Sequence, residues 1–351
     1  MRGIAAPRVA VVGATGVVGR TMLSILSERN FPLSSLRLFA SSRSAGTVVS
    51  TPWGDVTVED LATADPTGVD IALFSAGGTR SLEYAPAFVA AGAVVIDNSS
   101  AFRRDPAVPL VVAEVNDDAI ARHRGIVANP NCTTMGLMMA VGPLHRAAGI
   151  DRMIATSYQA TSGSGQAGVE VLMHEIDVLG KKPEELATGG WSDPGSTLYS
   201  RPIGFNVLPH AGSFAEEHYT DEEWKLVNET RKILGDDSIR VEPTCVRVPV
   251  AVGHSVAATV FFNRAVSRGE ALDILSVAPG VEVWDDAKVP TPLDAAGIDT
   301  TLVGRVRETL GERGGLNLWV VSDNLRKGAA LNTVQLAELL LRGDSTGRRL
   351  P

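Results

Sequence analysis

The chain has 351 residues, a length that favours two domains over a single hydrophobic core. Hydrophobic residues make up 44% and charged residues 21% of it, as in ordinary globular proteins, and the net charge of −8 argues against nucleic-acid and anionic-membrane partners. Two cysteines cannot form a disulfide framework, residues 1–7 lack the apolar core of a signal peptide, and no apolar run approaches the roughly 18 residues that span a bilayer. We therefore expect a cytoplasmic protein.

Short buried-strand patterns alternate with helical patterns along the first 130 residues. The strand patterns cover residues 8–12, 36–40, 70–74 and 93–97, and helical composition follows the first of them as far as residue 28 and recurs at 79–91. This alternation is typical of parallel βαβ units. It predicts a Rossmann-like, doubly wound nucleotide domain.

A glycine-rich turn lies between the first predicted strand and the first predicted helix. Gly13, Gly16 and Gly19 form Gly-x-x-Gly-x-x-Gly, which differs from the common Gly-x-Gly-x-x-Gly fingerprint. Glycines permit a tight turn and close approach of a pyrophosphate, which then rests on a helix N-terminus. Such turns also occur for purely structural reasons, but this position in the chain favours a nucleotide.

The end of the second predicted strand indicates which dinucleotide binds. An NAD site usually carries an acidic residue there, whereas this chain has Ala40-Ser41-Ser42-Arg43-Ser44. An arginine flanked by hydroxyls suits a 2′-phosphate, so the loop predicts NADP(H). The alternative is a solvated polar loop without a ligand.

Cys132 is the candidate nucleophile. It lies in Asn129-Pro130-Asn131-Cys132-Thr133-Thr134, directly before an apolar, helix-like run. The unpaired N–H groups and dipole of a helix N-terminus favour a thiolate, which attacks acyl carbons well. The alternative is a buried structural cysteine, the interpretation that we give to Cys245.

The second half of the chain has a different pattern. Longer runs rich in Val, Thr and Ala at 153–160 and 241–262, with little helix between them, predict a larger sheet. Thr220-Asp221-Glu222-Glu223 has capping-box spacing and predicts a helix to about residue 234. The Gly-, Pro- and Ser-rich stretch 181–202 is expected to form a mobile loop. An amphipathic helix at 329–342 is assigned to the nucleotide domain, which gives a discontinuous first domain (1–131 and 329–351) and an α+β domain (132–328) with a large mixed sheet.

Several segments together resemble the bacterial aspartate-β-semialdehyde dehydrogenases, in that family's order and over residues 8 to about 342. Besides the glycine turn and the Cys132 motif, the segments are Asp97-Asn98-Ser99-Ser100-Ala101-Phe102-Arg103, Tyr158-Gln159-Ala160-Thr161-Ser162-Gly163, Phe205-Asn206-Val207-Leu208-Pro209, Glu222-Glu223-Trp224-Lys225, Arg247-Val248-Pro249 with Gly253-His254-Ser255, and Asp323-Asn324-Leu325-Arg326-Lys327-Gly328.

The resemblance implies a homodimer that reduces aspartyl phosphate with NADPH to the semialdehyde, with release of phosphate, for lysine (through diaminopimelate), methionine, threonine and isoleucine synthesis. It implies that Cys132 attacks the acyl phosphate and that hydride reduces the resulting thioester. By the same resemblance, His254 is the acid/base and Gln159 holds the acyl oxygen or orders the thiol. Residues 132–328 would then form the catalytic and dimerisation domain.

The family's substrate site also maps onto this sequence. Arg247 matches the clamp for the substrate carboxylate, to which a guanidinium can pair in bidentate fashion. Arg103 and Lys225 match phosphate ligands, and Asn131 adds a neutral donor. Glu222, one helical turn before Lys225, would accept from the substrate ammonium or orient the lysine. Without the family, Glu222 and Lys225 would be interpreted as a solvated helix pair.

On the cofactor side, the resemblance places the pyrophosphate on the glycine turn and the 2′-phosphate on the serine-rich loop. The residues are Gly13, Thr15, Gly16, Val17 and Val18 for the pyrophosphate, Arg43 and Ser44 for the 2′-phosphate, and Ser162, Gly163 and Asn324 for the nicotinamide. No cluster with metal-ligand spacing is evident in the sequence, so no metal is expected.

Three other functions compete with this one. N-acetyl-γ-glutamyl-phosphate reductase has a motif closer to Asn-Pro-Gly-Cys-Tyr, whereas this chain has Asn-Pro-Asn-Cys-Thr. Glyceraldehyde-3-phosphate dehydrogenase shares Cys-Thr-Thr but normally carries an acidic residue after its second strand. A non-catalytic relative would be expected to lose the nucleophile or its partners, and Cys132, Gln159, Arg247 and His254 are all present.

Overall fold

The computed structural model describes residues 6–342. By internal contacts they form two compact units, the first made of residues up to 131, 232–235 and from 328 onward, and the second of 132–231 and 236–327. The parts of the predicted first domain at 1–5 and 343–351 lie outside the described residues.

The secondary structure alternates early and becomes strand-rich later. The strands are β1 (Arg8–Val12), β2 (Ser35–Ala40), β3 (Val48–Thr51), β4 (Gly54–Asp60), β5 (Ile71–Phe74), β6 (Val94–Asp97), β7 (Ile126–Ala128), β8 (Ile150–Gln159), β9 (Arg240–Arg247), β10 (His254–Phe262), β11 (Val281–Val283), β12 (Thr301–Glu308) and β13 (Gly315–Ser322). The α-helices are α1 (Val17–Glu28), α2 (Gly78–Ala90), α3 (Cys132–Ala148), α4 (Gln166–Gly180), α5 (Pro183–Thr188), α6 (Asp221–Leu234), α7 (Arg268–Ser276), α8 (Pro292–Ala295) and α9 (Leu331–Arg342).

The first unit is built on a sheet in the order β3-β4-β2-β1-β5-β6-β7. Strands β1, β2, β4, β5, β6 and β7 run parallel, and β3 forms an antiparallel hairpin with β4. Strand order reverses between β1 and β5, the switch point at which doubly wound sheets bind ligands. The predicted nucleotide-domain fold is therefore confirmed, although the hairpin and the three-residue β7 were not predicted.

Helices cover both faces of this sheet. Residues of α1 and α9, such as Ile25 and Val334, are buried in one apolar cluster with β1 and β5. On the other face Phe88 of α2 packs edge-on against Phe39 at a centroid distance of 5.5 Å and against Phe74 at 5.1 Å. Edge-to-face pairs of this kind each contribute about 0.5–1.5 kcal/mol beyond the buried area.

The second unit contains a mixed sheet in the order β11-β12-β13-β10-β8-β9. Pairs β8–β9 and β11–β12 are parallel and the other neighbours are antiparallel, so the predicted large mixed sheet is confirmed. Helix α3 is buried on nearly all sides, in keeping with its apolar run from Met135 to Leu144. The expectation of little helix between the two Val-rich runs was wrong, because α4 and α5 lie there in addition to the predicted α6, and α5 falls inside the predicted loop 181–202.

Candidate active site

Sheet register brings the predicted catalytic residues of the second unit to one edge of its sheet. Gln159, the last residue of β8, pairs with Arg247, the last residue of parallel β9. His254 begins β10, which runs antiparallel to β8, and pairs with Ser322 at the end of β13. Residues separated by almost 100 positions in the sequence therefore lie side by side.

Cys132 is the first residue of α3, and neither cysteine of the chain forms a disulfide. One turn later, a Cβ on Gly136 would stand only 2.3 Å from Ser322 Oγ, so the first turn of α3 packs directly against the end of β13. Residues four apart share a helix face. Because Ser322 pairs with His254, the half-buried Cys132 begins its helix at the sheet edge that carries the histidine.

The backbone fixes the tautomer of His254. The N–H of Ala160 donates to His254 Nδ1 at 3.0 Å, so Nε2 carries the proton of the neutral ring. Nε2 is buried and has no hydrogen-bond partner among residues 6–342. Burial, and secondarily the charge of Arg247, lower the pKa of His254 to about 3. The neutral ring can therefore donate a hydrogen bond from Nε2.

Arg247 is held by the carbonyl group of Ala160, the residue whose N–H binds His254. Its Nη1 donates to the carbonyl of Ala160 at 2.8 Å, and only 7% of the residue is exposed. A Cβ on Gly163 would lie 3.0 Å from this Nη1 and 3.4 Å from His254 Nε2. The absence of a side chain at Gly163 therefore leaves space beside both the guanidinium and the imidazole.

Gln159 is almost completely buried and joins the sheet edge to α6. Its Nε2 donates to Ser157 Oγ at 3.2 Å and lies 3.4 Å from Glu222 Oε2. The side-chain amide is therefore held from two directions, close to the start of the helix that carries the predicted phosphate ligand.

Helix α6 begins with the predicted capping box, which is confirmed. Glu223 Oε2 accepts from the Thr220 N–H at 2.7 Å, and Thr220 Oγ1 accepts from the Glu223 N–H at 3.3 Å. The second oxygen of Glu223 accepts from the N–H of Cys245 at 2.9 Å, which ties the helix to β9. This tie directs the first turn of α6 toward the sheet edge.

Lys225 lies on that first turn between two carboxylates. Its Nζ is 2.6 Å from both Asp221 Oδ2 and Glu222 Oε1. Burial lowers the pKa of Lys225, but the attraction of Glu222 and Asp221 outweighs it and leaves the pKa above the usual value. Lys225 is thus a cation held in place by its ion pairs with Asp221 and Glu222.

Ser162, Gly163 and Asn324 also lie at this edge. Ser162 and Gly163 are in a 3₁₀ turn after β8, and Asn324 follows β13. Asn324 Oδ1 accepts from the Gly253 N–H at 2.9 Å, and its Nδ2 donates to Ser162 Oγ at 2.9 Å. Asn324 therefore also fixes the residue before His254.

The glycine turn of the first unit has the geometry of a phosphate cradle. Gly13 has φ +88°, and a Cβ there would be 2.2 Å from the Ser75 carbonyl oxygen, while one on Gly19 would be 2.3 Å from the Gly13 oxygen. Gly16 is the N-cap of α1, with no acidic residue in the first turn. The N–H groups of Val17 and Val18, in that first turn, have no intrahelical acceptor and are available to an anion.

The serine-rich loop adjoins this turn. Thr15 Oγ1 lies 3.4 Å from Ser44 Oγ, and Arg43 is exposed on the loop after β2. Two candidate phosphate-binding features thus meet at the carboxyl end of β1 and β2. The residues present fit a dinucleotide that carries a 2′-phosphate.

Arg103 and Asn131 lie at the carboxyl ends of β6 and β7 in the same unit. Arg103 Nε donates to the carbonyl of Asn129 at 2.9 Å, and Nη2 donates to that of Asn98 at 2.7 Å. Both residues are largely buried. Asn98 and Asn129 were not predicted as site residues, because isolated asparagines are common in turns and carry no distinguishing pattern.

Within residues 6–342, no helix is long and apolar enough to cross a membrane. No group of three or more His, Cys, Asp or Glu side chains in that range has the geometry of a metal site.

Comparisons with known proteins identify the family of this chain. Family models for the NAD-binding domain and the dimerisation domain of semialdehyde dehydrogenases match residues 8–123 and 141–327. Aspartate-semialdehyde dehydrogenases of Streptomyces akiyoshiensis and Mycolicibacterium smegmatis are 53% and 50% identical, over 95% of this chain and 98% of theirs.

The fold agrees equally well with solved structures. Aspartate-semialdehyde dehydrogenase II from Vibrio cholerae superposes with a TM-score of 0.91 at 45% identity, covering 97% of this chain and 99% of that one. Its complex with ASA gives a TM-score of 0.90 with the same identity and coverage. The chain belongs to the aspartate-semialdehyde dehydrogenase family, as its eight sequence segments predicted.

Proposed function

We propose that this protein catalyses the NADPH-dependent reductive dephosphorylation of L-aspartyl-4-phosphate to L-aspartate-4-semialdehyde through a thioester on Cys132. The observation that carries the proposal is the start of α3, where Cys132 begins a helix packed against the strand that pairs with His254. Membership of the family, and the ASA complex of the Vibrio cholerae relative, support the substrate.

The reaction begins with attack of the Cys132 thiolate on the acyl carbon. A tetrahedral oxyanion forms and collapses, the carbon–oxygen bond to phosphate breaks, and a thioester remains. The one proton that the net reaction consumes leaves with the phosphate. When bound, the nicotinamide supplies the hydride that reduces the thioester, and expulsion of the cysteine sulfur then releases the aldehyde.

His254 stabilises the negative oxygen in both tetrahedral steps. Because Nδ1 accepts from the Ala160 N–H, Nε2–H is the group that the ring can offer. A preorganised donor in a water-poor site contributes strongly to catalysis. To act as the acid/base expected from the family, His254 would need a proton at Nδ1 and would lose its hydrogen bond from Ala160. We therefore assign it the donor role and not the acid/base role. Gln159 assists by ordering the reacting groups.

Substrate binding uses the charged residues around this edge. Arg247 clamps the α-carboxylate, and its buried Nε, which has no partner among the described residues, can supply a second N–H. Lys225 binds phosphate, and Glu222 holds Lys225 and accepts from the substrate ammonium. We propose Arg103 and Asn131 as the phosphate-binding residues of the first unit.

The cofactor that we propose is NADP(H). The cradle at Gly13–Val18 supports pyrophosphate binding, and Arg43 and Ser44 support a 2′-phosphate next to it. Ser162 and Gly163 would line the nicotinamide side, where Asn324 holds Ser162 in place. Asn324, whose amide binds Gly253 and Ser162, would contact the nicotinamide amide.

Membership of the family also supports a proposal for the oligomeric state, the cellular location and the pathway. We propose a cytoplasmic homodimer formed through the second unit, in the pathway to lysine, methionine, threonine and isoleucine. The dimerisation-domain model over 141–327 supports this, as does the outer face of β8, where Ile154 is 45% exposed between the half-buried Arg152 and Thr156. We also propose that the first domain comprises residues 1–131 and 329–351 and the second residues 132–328.

The substrate is tested by phosphate-dependent reduction of NADP⁺, the reverse reaction, with three aldehydes in parallel. We expect activity with L-aspartate-4-semialdehyde, and little with N-acetylglutamate semialdehyde or glyceraldehyde 3-phosphate. Omission of phosphate should abolish steady turnover, because phosphate must discharge the thioester. Turnover with N-acetylglutamate semialdehyde instead would assign the chain to the rival reductase chemistry, and turnover independent of phosphate would refute the acyl-phosphate route.

A further inference from the structure

Three asparagine side chains form a continuous chain of hydrogen bonds inside the first unit. Asn98 follows β6, Asn129 follows β7, and Asn332 lies in the first turn of α9. Asn332 Nδ2 donates to Asn129 Oδ1 at 2.6 Å, and Asn129 Nδ2 donates to Asn98 Oδ1 at 2.7 Å. Asn129 and Asn332 are fully buried. We call these three residues the amide chain.

Both ends of the amide chain are anchored to the fold. Asn332 Nδ2 also donates to the carbonyl of Val111 at 2.9 Å, and its Oδ1 accepts from the Ala113 N–H at 2.9 Å. At the other end, Asn98 Nδ2 donates to Thr333 Oγ1 at 2.7 Å. Each member both donates and accepts, which an amide can do and a carboxylate cannot.

The amide chain holds the two carbonyl groups that bind Arg103. The guanidinium donates to the main-chain oxygens of Asn98 and Asn129, whose side chains are joined to each other. From Asn129 the polypeptide continues through Pro130 and Asn131 to Cys132. Fixing Asn129 therefore fixes a proposed phosphate ligand and the start of the segment that presents the nucleophile.

We propose that Asn332, acting through Asn129, is a positioning residue for Arg103 and for the Asn129–Cys132 segment. The inference rests on the proposed function, in which Arg103 binds phosphate and Cys132 is the nucleophile. Asn332 reaches neither group itself. It acts by holding the end of β7 against the first turn of α9, since a buried and fully paired network sets one conformation.

Replacement of Asn332 by aspartate tests this. Asn332→Asp keeps the shape but removes both donors, so a carboxylate faces the oxygens of Val111 and Asn129. We expect the KM for phosphate to rise, and kcat to fall, by roughly tenfold or more, as small misplacements of reacting groups do, while the KM for NADP⁺ changes much less. Alkylation by iodoacetamide without substrates should also slow about tenfold. The alkylation rate measures the reactivity of Cys132 alone, because burial raises the pKa of Cys245 to about 12.

Matched variants separate positioning from loss of stability. Val334→Ala removes buried methyl groups from the same helix without touching the amide chain, and should lower the melting temperature but leave alkylation and the phosphate KM unchanged. Thr333→Val removes only the hydroxyl that Asn98 binds, whereas Thr333→Ser retains it. We expect Thr333→Val to repeat the Asn332→Asp effects more weakly and Thr333→Ser to behave as wild type.

Equal effects of Asn332→Asp and Val334→Ala on alkylation and phosphate KM would overturn the inference. If Asn332→Asp does not fold, a comparison of Thr333→Val with Thr333→Ser tests the inference by the same two measurements, alkylation and the phosphate KM. A wrong proposed function would instead appear in the wild-type protein, as turnover of a different aldehyde.

Discussion

Replacing Cys132 by serine is expected to lower kcat/KM by at least about a thousandfold, because loss of an enzyme's nucleophile removes most of its catalysis. A serine hydroxyl in place of the thiol is a much weaker nucleophile near neutral pH, and an oxygen ester accepts hydride less readily than a thioester. Binding of NADPH should be unchanged, since the cradle at Gly13–Val18 does not include this residue. Steady-state kinetics and a fluorescence titration with NADPH measure the two quantities on one preparation.

The second cysteine provides the control. Cys245 is buried in β9, where its N–H is bound by Glu223, and it does not enter the proposed chemistry. Cys245→Ala should cost some stability and leave kcat/KM within about twofold, as a small core substitution away from the reacting groups does. If Cys132→Ser kept near-normal turnover, the covalent mechanism would be wrong.

Replacing His254 is expected to have the second largest effect, and the choice of substituent tests its proposed role. Both His254→Asn and His254→Gln should lower kcat by about a hundredfold or more, the usual cost of removing one preorganised donor. Glutamine extends an N–H toward the position of Nε2, whereas asparagine reaches only the region of Nδ1. If the ring serves as a donor, His254→Gln should retain more activity than His254→Asn. If the ring served as a base toward the thiol, neither the glutamine nor the asparagine side chain could replace it, and both variants should lose activity to the same extent.

The low pKa of His254 makes a separate prediction about pH. Because burial lowers the pKa to about 3, the ring stays neutral between pH 5 and 9, so its titration contributes no acid limb to kcat/KM. A limb near pH 6.5 that disappears in His254→Gln would contradict the donor role.

The same shift affects stability. Folding favours the neutral ring, so the unfolded chain, with a histidine pKa of about 6.5, binds more protons at acidic pH. Above pH 6.5 the titration of His254 therefore does not lower the free energy of unfolding. As the pH falls from 6.5 toward 3, the free energy of unfolding decreases by about 1.4 kcal/mol per pH unit. Urea titrations between pH 5 and 7 should show the slope in the wild type and less of it in His254→Gln.

Much of the fold was predictable because it depends on local patterns. Gly13 and Gly19 were recognisable, since no side chain fits at either position, and the capping box at Thr220 identified the start of α6. Helix α4, which immediately precedes the loop-like stretch 181–202, was not predicted. Strand β7 has only three residues, too few for a pattern to emerge.

The site was predictable only as a set of residues. Family resemblance named His254, but its tautomer depends on the N–H of Ala160, which is 94 positions away in the sequence. The amide chain joins Asn129 to Asn332 across 203 positions, and nothing in either neighbourhood distinguishes these asparagines from turn residues. Such contacts arise from tertiary structure, so a single sequence does not reveal them.

The central claim, a thioester on Cys132, is tested most directly by mixing the enzyme with L-aspartate-4-semialdehyde and NADP⁺ in the absence of phosphate. We expect a burst of one NADPH per subunit, an acyl group on the peptide that contains Cys132, and its discharge on addition of phosphate. A burst without acylation of that peptide, or acylation that phosphate does not discharge, would contradict the thioester mechanism.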